Sequence, residues 1–190
     1  MRNMYIDVNG VIANHVKAVV ELYNYDFRDK DGFREVQADE INTWEMRELS
    51  CATKQERYNY FTDDRFFDVL KVMPDFERVI TNLYNSGQYK FTLVTLGSKV
   101  NLEKMEKWLK DHVMNIGIPM KLIMLDEAEY NDKSSIDMAG GIFIDDKIEN
   151  LETSNAKTKI VFGRKHGYNE QFRGIRLIDW EDIEGYFIGW

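Results

Sequence analysis

Five short apolar runs separated by amphipathic stretches constrain this chain more than any other feature. They are Met4–Val8, Lys90–Thr95, Lys121–Leu125, Gly141–Ile144 and Thr158–Phe162. Each is short, β-branched or aromatic, and apolar on both faces, as strands of a parallel sheet covered by helices are. Asn9-Gly10, Leu96-Gly97-Ser98 and Asp145-Asp146 follow three of them. Between the runs, Asp75–Tyr84 places Phe76, Val79, Ile80 and Leu83 on one helical face. Leu102, Met105, Trp108, Leu109 and Val113 repeat at the same spacing. Strand and helix in alternation predict an α/β fold built on a doubly wound parallel sheet with right-handed crossovers.

One interval breaks this rhythm. Between the first run and Asp75 lie more than sixty residues with no convincing strand but with an aromatic helical segment from Tyr58 through Phe67. A connection that long inside a compact domain is usually functional. It predicts a small helical cap, residues 14–73, inserted after the first strand of a core made of residues 1–13 and 74–190. Pro74 and Pro119 sit at boundaries, and Trp180 to Tyr186 reads as a helix packed on the sheet edge.

Charge and cysteine usage narrow the partners. With 25 Lys plus Arg against 33 Asp plus Glu, the net charge is −8, the wrong sign for a nucleic-acid surface. No apolar run approaches the ~20 residues that cross a bilayer, and Asp7 and Asn9 interrupt the N-terminal one, unlike a secretory signal. A single cysteine, Cys51, excludes an internal disulfide and a Cys-based zinc site, and fits a reducing compartment.

Ligands of open α/β sheets bind beyond the carboxyl ends of the strands. Reading off those ends gives Asp7 and Asn9 after the first strand, Thr95 after the second, and Asp145 with Asp146 after the fourth. Lys133 precedes a short segment, read as helical, that leads into the fourth strand. Singly, each has an ordinary explanation: Asn-Gly is a turn dipeptide, an Asp pair caps helices, a threonine ends strands and a lysine covers surface. Together they bring carboxylates, a hydroxyl and an ammonium to one rim, which a single chemistry can use.

Asp7-Val8-Asn9-Gly10-Val11, the Thr95 strand end, Lys133 and Ile144-Asp145-Asp146 resemble the four motifs of the haloacid-dehalogenase-like (HAD) phosphohydrolases. The likeness is nearer to their 5'(3')-deoxyribonucleotidase branch, supported by Phe66-Phe67, Met73-Pro74, Glu106-Lys107-Trp108 and a tail from Phe162 to Phe187. The resemblance covers nearly the whole chain and is loose in the cap. It implies that Asp7 attacks the phosphorus of a nucleoside monophosphate, giving an aspartyl-phosphate that water hydrolyses. It implies Mg²⁺ on Asp7, the backbone carbonyl of Asn9, and Asp145 or Asp146. Thr95, Leu96, Ser98 and Lys133 would contact the phosphate. The cap would close over the nucleotide, with Trp44, Phe61, Phe66 and Phe67 read either as a base pocket or, more simply, as core. The resemblance further implies a cytoplasmic protein with a small-molecule nucleotide as partner, and leaves room for a homodimer. Of the histidines, only His166 falls where it suggests proximity to the site.

Two positions depart from the family pattern. The residue two after the nucleophile is normally an Asp that serves as general acid and then base; here it is Asn9, whose amide neither gives nor takes a proton at neutral pH. An engineered replacement, a naturally slow enzyme, and a nucleotide-binding or regulatory protein on a degenerate phosphatase scaffold all accommodate Asn9. Leu96 stands where a small polar residue often follows the threonine, with Ser98 as a substitute. A receiver-type phospho-acceptor domain is disfavoured because it carries its acidic pair on the first strand, and a dehalogenase because it has no use for a metal-binding pair.

Overall fold

The structure, a computed structural model, describes residues 1–189. Six parallel strands form one sheet: β1 (Arg2–Asp7), β2 (Tyr89–Gly97), β3 (Met120–Asp126), β4 (Ile142–Asp145), β5 (Thr158–Phe162) and β6 (Ile175–Leu177). Their spatial order is β3-β2-β1-β4-β5-β6, so the winding reverses direction between β1 and β4. At such a point the connections on either side run away from each other and leave a crevice. The expected α/β doubly wound sheet is therefore present. β6 was not expected; its three residues are too short for a periodic signal, and it is a strand because it pairs with β5.

Alternation along the strands divides the interior. Ile6, Leu93, Ile144 and Ile160 face one apolar layer, shared with α4 (Phe76–Asn85), α5 (Lys99–His112) and α7 (Trp180–Ile188). Val94, Phe143 and Val161 face the other, covered by α6 (Ile148–Thr153) through Leu151 and by Ile136 and Met138 of a loop. Trp180 of α7 stacks edge-on to Phe76 and tilts against Phe162 of β5, while Phe187 meets Tyr89 of β2. The helix thus crosses a sheet face rather than lying along an edge as expected, because its aromatic residues at both ends need apolar cover that an edge does not offer. The Trp180 indole Nε1 donates to the Val11 carbonyl at 2.9 Å, tying this last helix to the loop after β1.

The inserted stretch leaves the core beside the point where it returns. Asn14 N–H donates to the Lys71 carbonyl at 2.9 Å and Met73 N–H to the Ile12 carbonyl at 2.7 Å. Between these contacts run α1 (His15–Phe27), α2 (Lys54–Asn59) and α3 (Asp64–Val69), with turns elsewhere. The Asn14 side chain caps α1, Thr53 and Glu56 form a capping box on α2, and Asp63 caps α3, each satisfying helix N–H groups that would otherwise lack acceptors. Tyr23 and Phe66 continue the first apolar layer into this region. Among the described residues no helix is long and apolar enough to cross a membrane.

Candidate active site

β1 and β4 are neighbours in register, with Ile6 beside Ile144, so the next residues, Asp7 and Asp145, end adjacent strands at the reversal. Lys133 comes from the β3–β4 connection, which is turns and bends; the helical segment expected there is absent. Its ammonium donates to Asp7 Oδ1 and, at 2.6 Å, to Asp145 Oδ2. Lys133 is 2% exposed. An unpaired buried ammonium is costly, but here it lies between two carboxylates that are themselves buried. Burial alone would lower its pKa; Asp145 and Asp7 outweigh that and hold it above the ordinary value. Asp145 is further fixed by the Lys147 backbone N–H at 2.8 Å and by the Asn150 amide at 3.1 Å. Asn150 escaped the sequence reading; its only signal was a polar residue on the inward side of α6.

The three carboxylates Asp7, Asp145 and Asp146 bring oxygens within 4.8 Å of one another. With one ammonium among them the cluster has more carboxylates than cations and is buried. Burial, and then the Asp145 charge, push Asp7 up to about 7 against the pull of Lys133. Burial, followed by Asp7 and Asp145, raises Asp146 well above the usual carboxylate range. Asp146 Oδ1 and Asn9 Oδ1 are buried without a hydrogen-bond partner. Gly10 has φ +84°, and a Cβ there would collide with the Asp146 carboxylate, so this loop closes only with glycine. An excess of oxygen ligands, one with no protein partner, is the donor set that a hard dication such as Mg²⁺ takes. Asp7, Asp145, Asp146 and the Asn9 carbonyl are the groups that would hold it.

Thr95 lies inside β2 rather than at its end, since the strand continues to Gly97. It is fully buried, and its Oγ1 has no partner. Leu96, Gly97 and Ser98 follow it to the rim, where the Ser98 hydroxyl caps α5 by accepting from Asn101 N–H. These residues, with Asn9, line a cavity of about 360 Å³ whose opposite wall comes from the inserted segment: His15, Trp44, Met46, Tyr58 and Phe61. Phe66 does not reach it. That ring is fully buried behind Phe61, 5.4 Å between centroids, and its neighbour Phe67 is also core-packed. The expected aromatic wall therefore uses Trp44 and Phe61, joined by Tyr58.

Several contacts bind that wall to the core, among them the Tyr58 hydroxyl donating to Glu127 Oε1 and the Lys147 ammonium over the Trp44 ring. The Asn101 amide donates to the Phe61 carbonyl at 2.7 Å, and the Lys104 ammonium to the Thr62 carbonyl at 2.6 Å. His166 is not on the cavity; it stacks on Tyr168, which meets Trp44 edge-on. His15, passed over in the sequence, is 6% exposed and lies against Phe61. Burial lowers its pKa to about 4, so its ring is neutral.

A family model described as 5' nucleotidase, deoxy (pyrimidine), cytosolic type C protein matches residues 2–188. The chain belongs to that family. Membership places it among hydrolases of the HAD phosphatase type, and the solved structures it resembles have the same fold. A haloacid dehalogenase-like family hydrolase from Streptococcus pneumoniae superposes with a TM-score of 0.65 at 14% identity, covering 98% of each chain. A predicted phosphatase from Clostridium acetobutylicum gives 0.63 at 12% identity, covering 100% of this chain and 99% of that one. A HAD-superfamily hydrolase of subfamily IA from Geobacter sulfurreducens PCA gives 0.56 at 14%, covering 96% and 94%. No curated protein matches the sequence.

Proposed function

We propose that this member of the family is a Mg²⁺-dependent phosphatase of deoxyribonucleoside monophosphates that works in the cytosol, with Asp7 as nucleophile. One observation carries the reading: two buried carboxylates share the Lys133 ammonium with a third, Asp146, beside them, and the loop after Asp7 puts Asn9 on a cavity whose far wall carries aromatic rings. The carboxylate cluster suits a dication with a phosphate, and the rings of Trp44, Tyr58 and Phe61, with Glu45, Lys54 and Arg57 among them, suit a base.

In the proposed reaction the Asp7 carboxylate forms a bond to phosphorus as the ester P–O bond breaks, and the nucleoside leaves as an alkoxide that needs a proton. Water then attacks the aspartyl-phosphate, the P–O bond to Asp7 breaks, and inorganic phosphate departs. Bound at the carboxylates, Mg²⁺ would offset the charge of nucleophile and phosphate. Lys133 favours the ionised form of Asp7 against its burial and holds it in place. Thr95 Oγ1, buried and unpartnered, has a hydrogen to give to a phosphoryl oxygen. Asn9 stands where the leaving group's proton would be handled, and its amide cannot transfer one. Turnover is therefore expected to be about 10²–10⁴-fold below that of an Asp at this position.

The test is phosphate release from a panel of 5'- and 3'-nucleotides with Mg²⁺, run on this protein and its Asn9→Asp form. Release by neither sinks the proposal. A second reading, a nucleotide-binding or regulatory protein on the same scaffold, is favoured by Asn9 alone. It gains if Asn9→Asp hydrolyses no better than the present chain while both bind nucleotide.

A further inference from the structure

Resting on the nucleotide reading, we propose that His15 is a specificity-determining residue that hydrogen-bonds the part of the substrate lying between phosphate and base. His15 opens α1 and lines the cavity between Asn9 and Phe61. A point above Gly10 that would collide with the Asp146 carboxylate is also 3.2 Å from His15 Cε1, so the imidazole borders the carboxylate cluster. Its other flank is the Phe61 ring, with centroids 5.9 Å apart. A ligand with phosphate at Asp7 and an apolar end on Phe61 and Trp44 must pass this ring with its middle atoms.

The ring's hydrogen bonding is incomplete. Nδ1 is buried with no partner. The Ala13 carbonyl lies beside the ring, and the neutral imidazole carries one N–H and one lone pair. Its cavity edge offers one hydrogen-bonding nitrogen, matched to a sugar hydroxyl, which both gives and accepts. A nucleoside monophosphate supplies such a hydroxyl, and inorganic phosphate has no sugar. Phenylalanine would fill the same space and keep the contact with Phe61, so the polar edge of this ring is what distinguishes it from a packing residue.

The experiment measures affinity for dUMP and for inorganic phosphate, both with Mg²⁺, by calorimetry on the full chain and on His15→Phe and His15→Gln, with thermal melts to confirm folding. His15→Phe is expected to weaken dUMP binding about 3–10-fold, the worth of one hydrogen bond, and to leave phosphate binding within twofold, roughly the noise of such a comparison. His15→Gln, which retains a donor, is expected to recover part of the loss. Equal dUMP affinity in wild type and His15→Phe overturns this inference alone, as does an equal loss for dUMP and phosphate. A wild type that binds phosphate but no nucleotide overturns the nucleotide reading and this inference with it.

Discussion

The two ends of the site are built by opposite means. At the carboxylate pole, Asp7 and Asp145 are placed by adjacent strands in register, and Lys133 is fixed by reaching both. At the aromatic wall, Trp44, Tyr58 and Phe61 come from turns and short helices, held by Asn101 and Lys104 gripping backbone carbonyls of residues 61 and 62. Strand register is shared with a whole sheet, so the pole is determined by much of the fold. The wall depends on a few contacts that one substitution removes. On the proposed reading, chemistry lies on the rigid side and recognition on the adjustable one.

The sharpest way to press this contrast is at Asn9, on the rigid side. Asn9→Asp restores an acid–base group without altering shape and is expected to raise kcat about 10²–10⁴-fold, measured by phosphate release. A rise confined to KM would place residue 9 in binding instead. Lys133→Met comes next: it keeps the stem but leaves two buried carboxylates without their cation. A loss of about 3–5 kcal/mol in denaturant melts is expected, smaller at pH 6 than at pH 8 because protonation of the carboxyls relieves the repulsion. A loss below 1 kcal/mol, roughly that of an exposed pair, would mean the pole is not the fixed end.

Magnesium probes the same pole reversibly. Without metal, the Asp7 carboxyl is raised to about 7. A carboxyl raised on folding adds stability below its unfolded pKa near 4, and that contribution is lost as pH rises through about 7. Binding a dication requires that proton to leave. Mg²⁺ should therefore raise the melting temperature more at pH 8 than at pH 6, by about 1 kcal/mol in stability. The buried His15, neutral when folded at both pH values, cancels from the difference. Equal stabilisation at the two pH values would show that no proton is displaced. The smallest effect belongs to the wall: Asn101→Ala frees the Phe61 carbonyl and should cost about 1 kcal/mol, raising KM for a nucleotide while leaving kcat near its wild-type value. A fall in kcat with unchanged KM would show that the wall and the pole move together.

The same contrast explains what the sequence disclosed. Runs such as Gly141–Ile144 and Lys90–Thr95 announce strands by composition, and a parallel sheet turns their ends into a rim, so Asp7, Asp145, Asp146 and Lys133 could be grouped before any coordinates. Phe66 was misplaced and His15 passed over because the choice between cavity and core in the inserted segment depends on which side of a short turn faces α5, and no periodicity records that. β6 was missed for a related reason: its three residues become a strand only through β5.

The Trp180 contact with the Val11 carbonyl carries a consequence for the order of events during synthesis. Val11 is synthesised 169 residues before Trp180, so the loop bearing Asn9 and Gly10 waits for one of its supports, α7. Until that helix emerges, the nucleophile strand can pair with its neighbours while its loop stays unsettled. The nascent chain would thus pair its strands before the loop that follows Asp7 is fully supported.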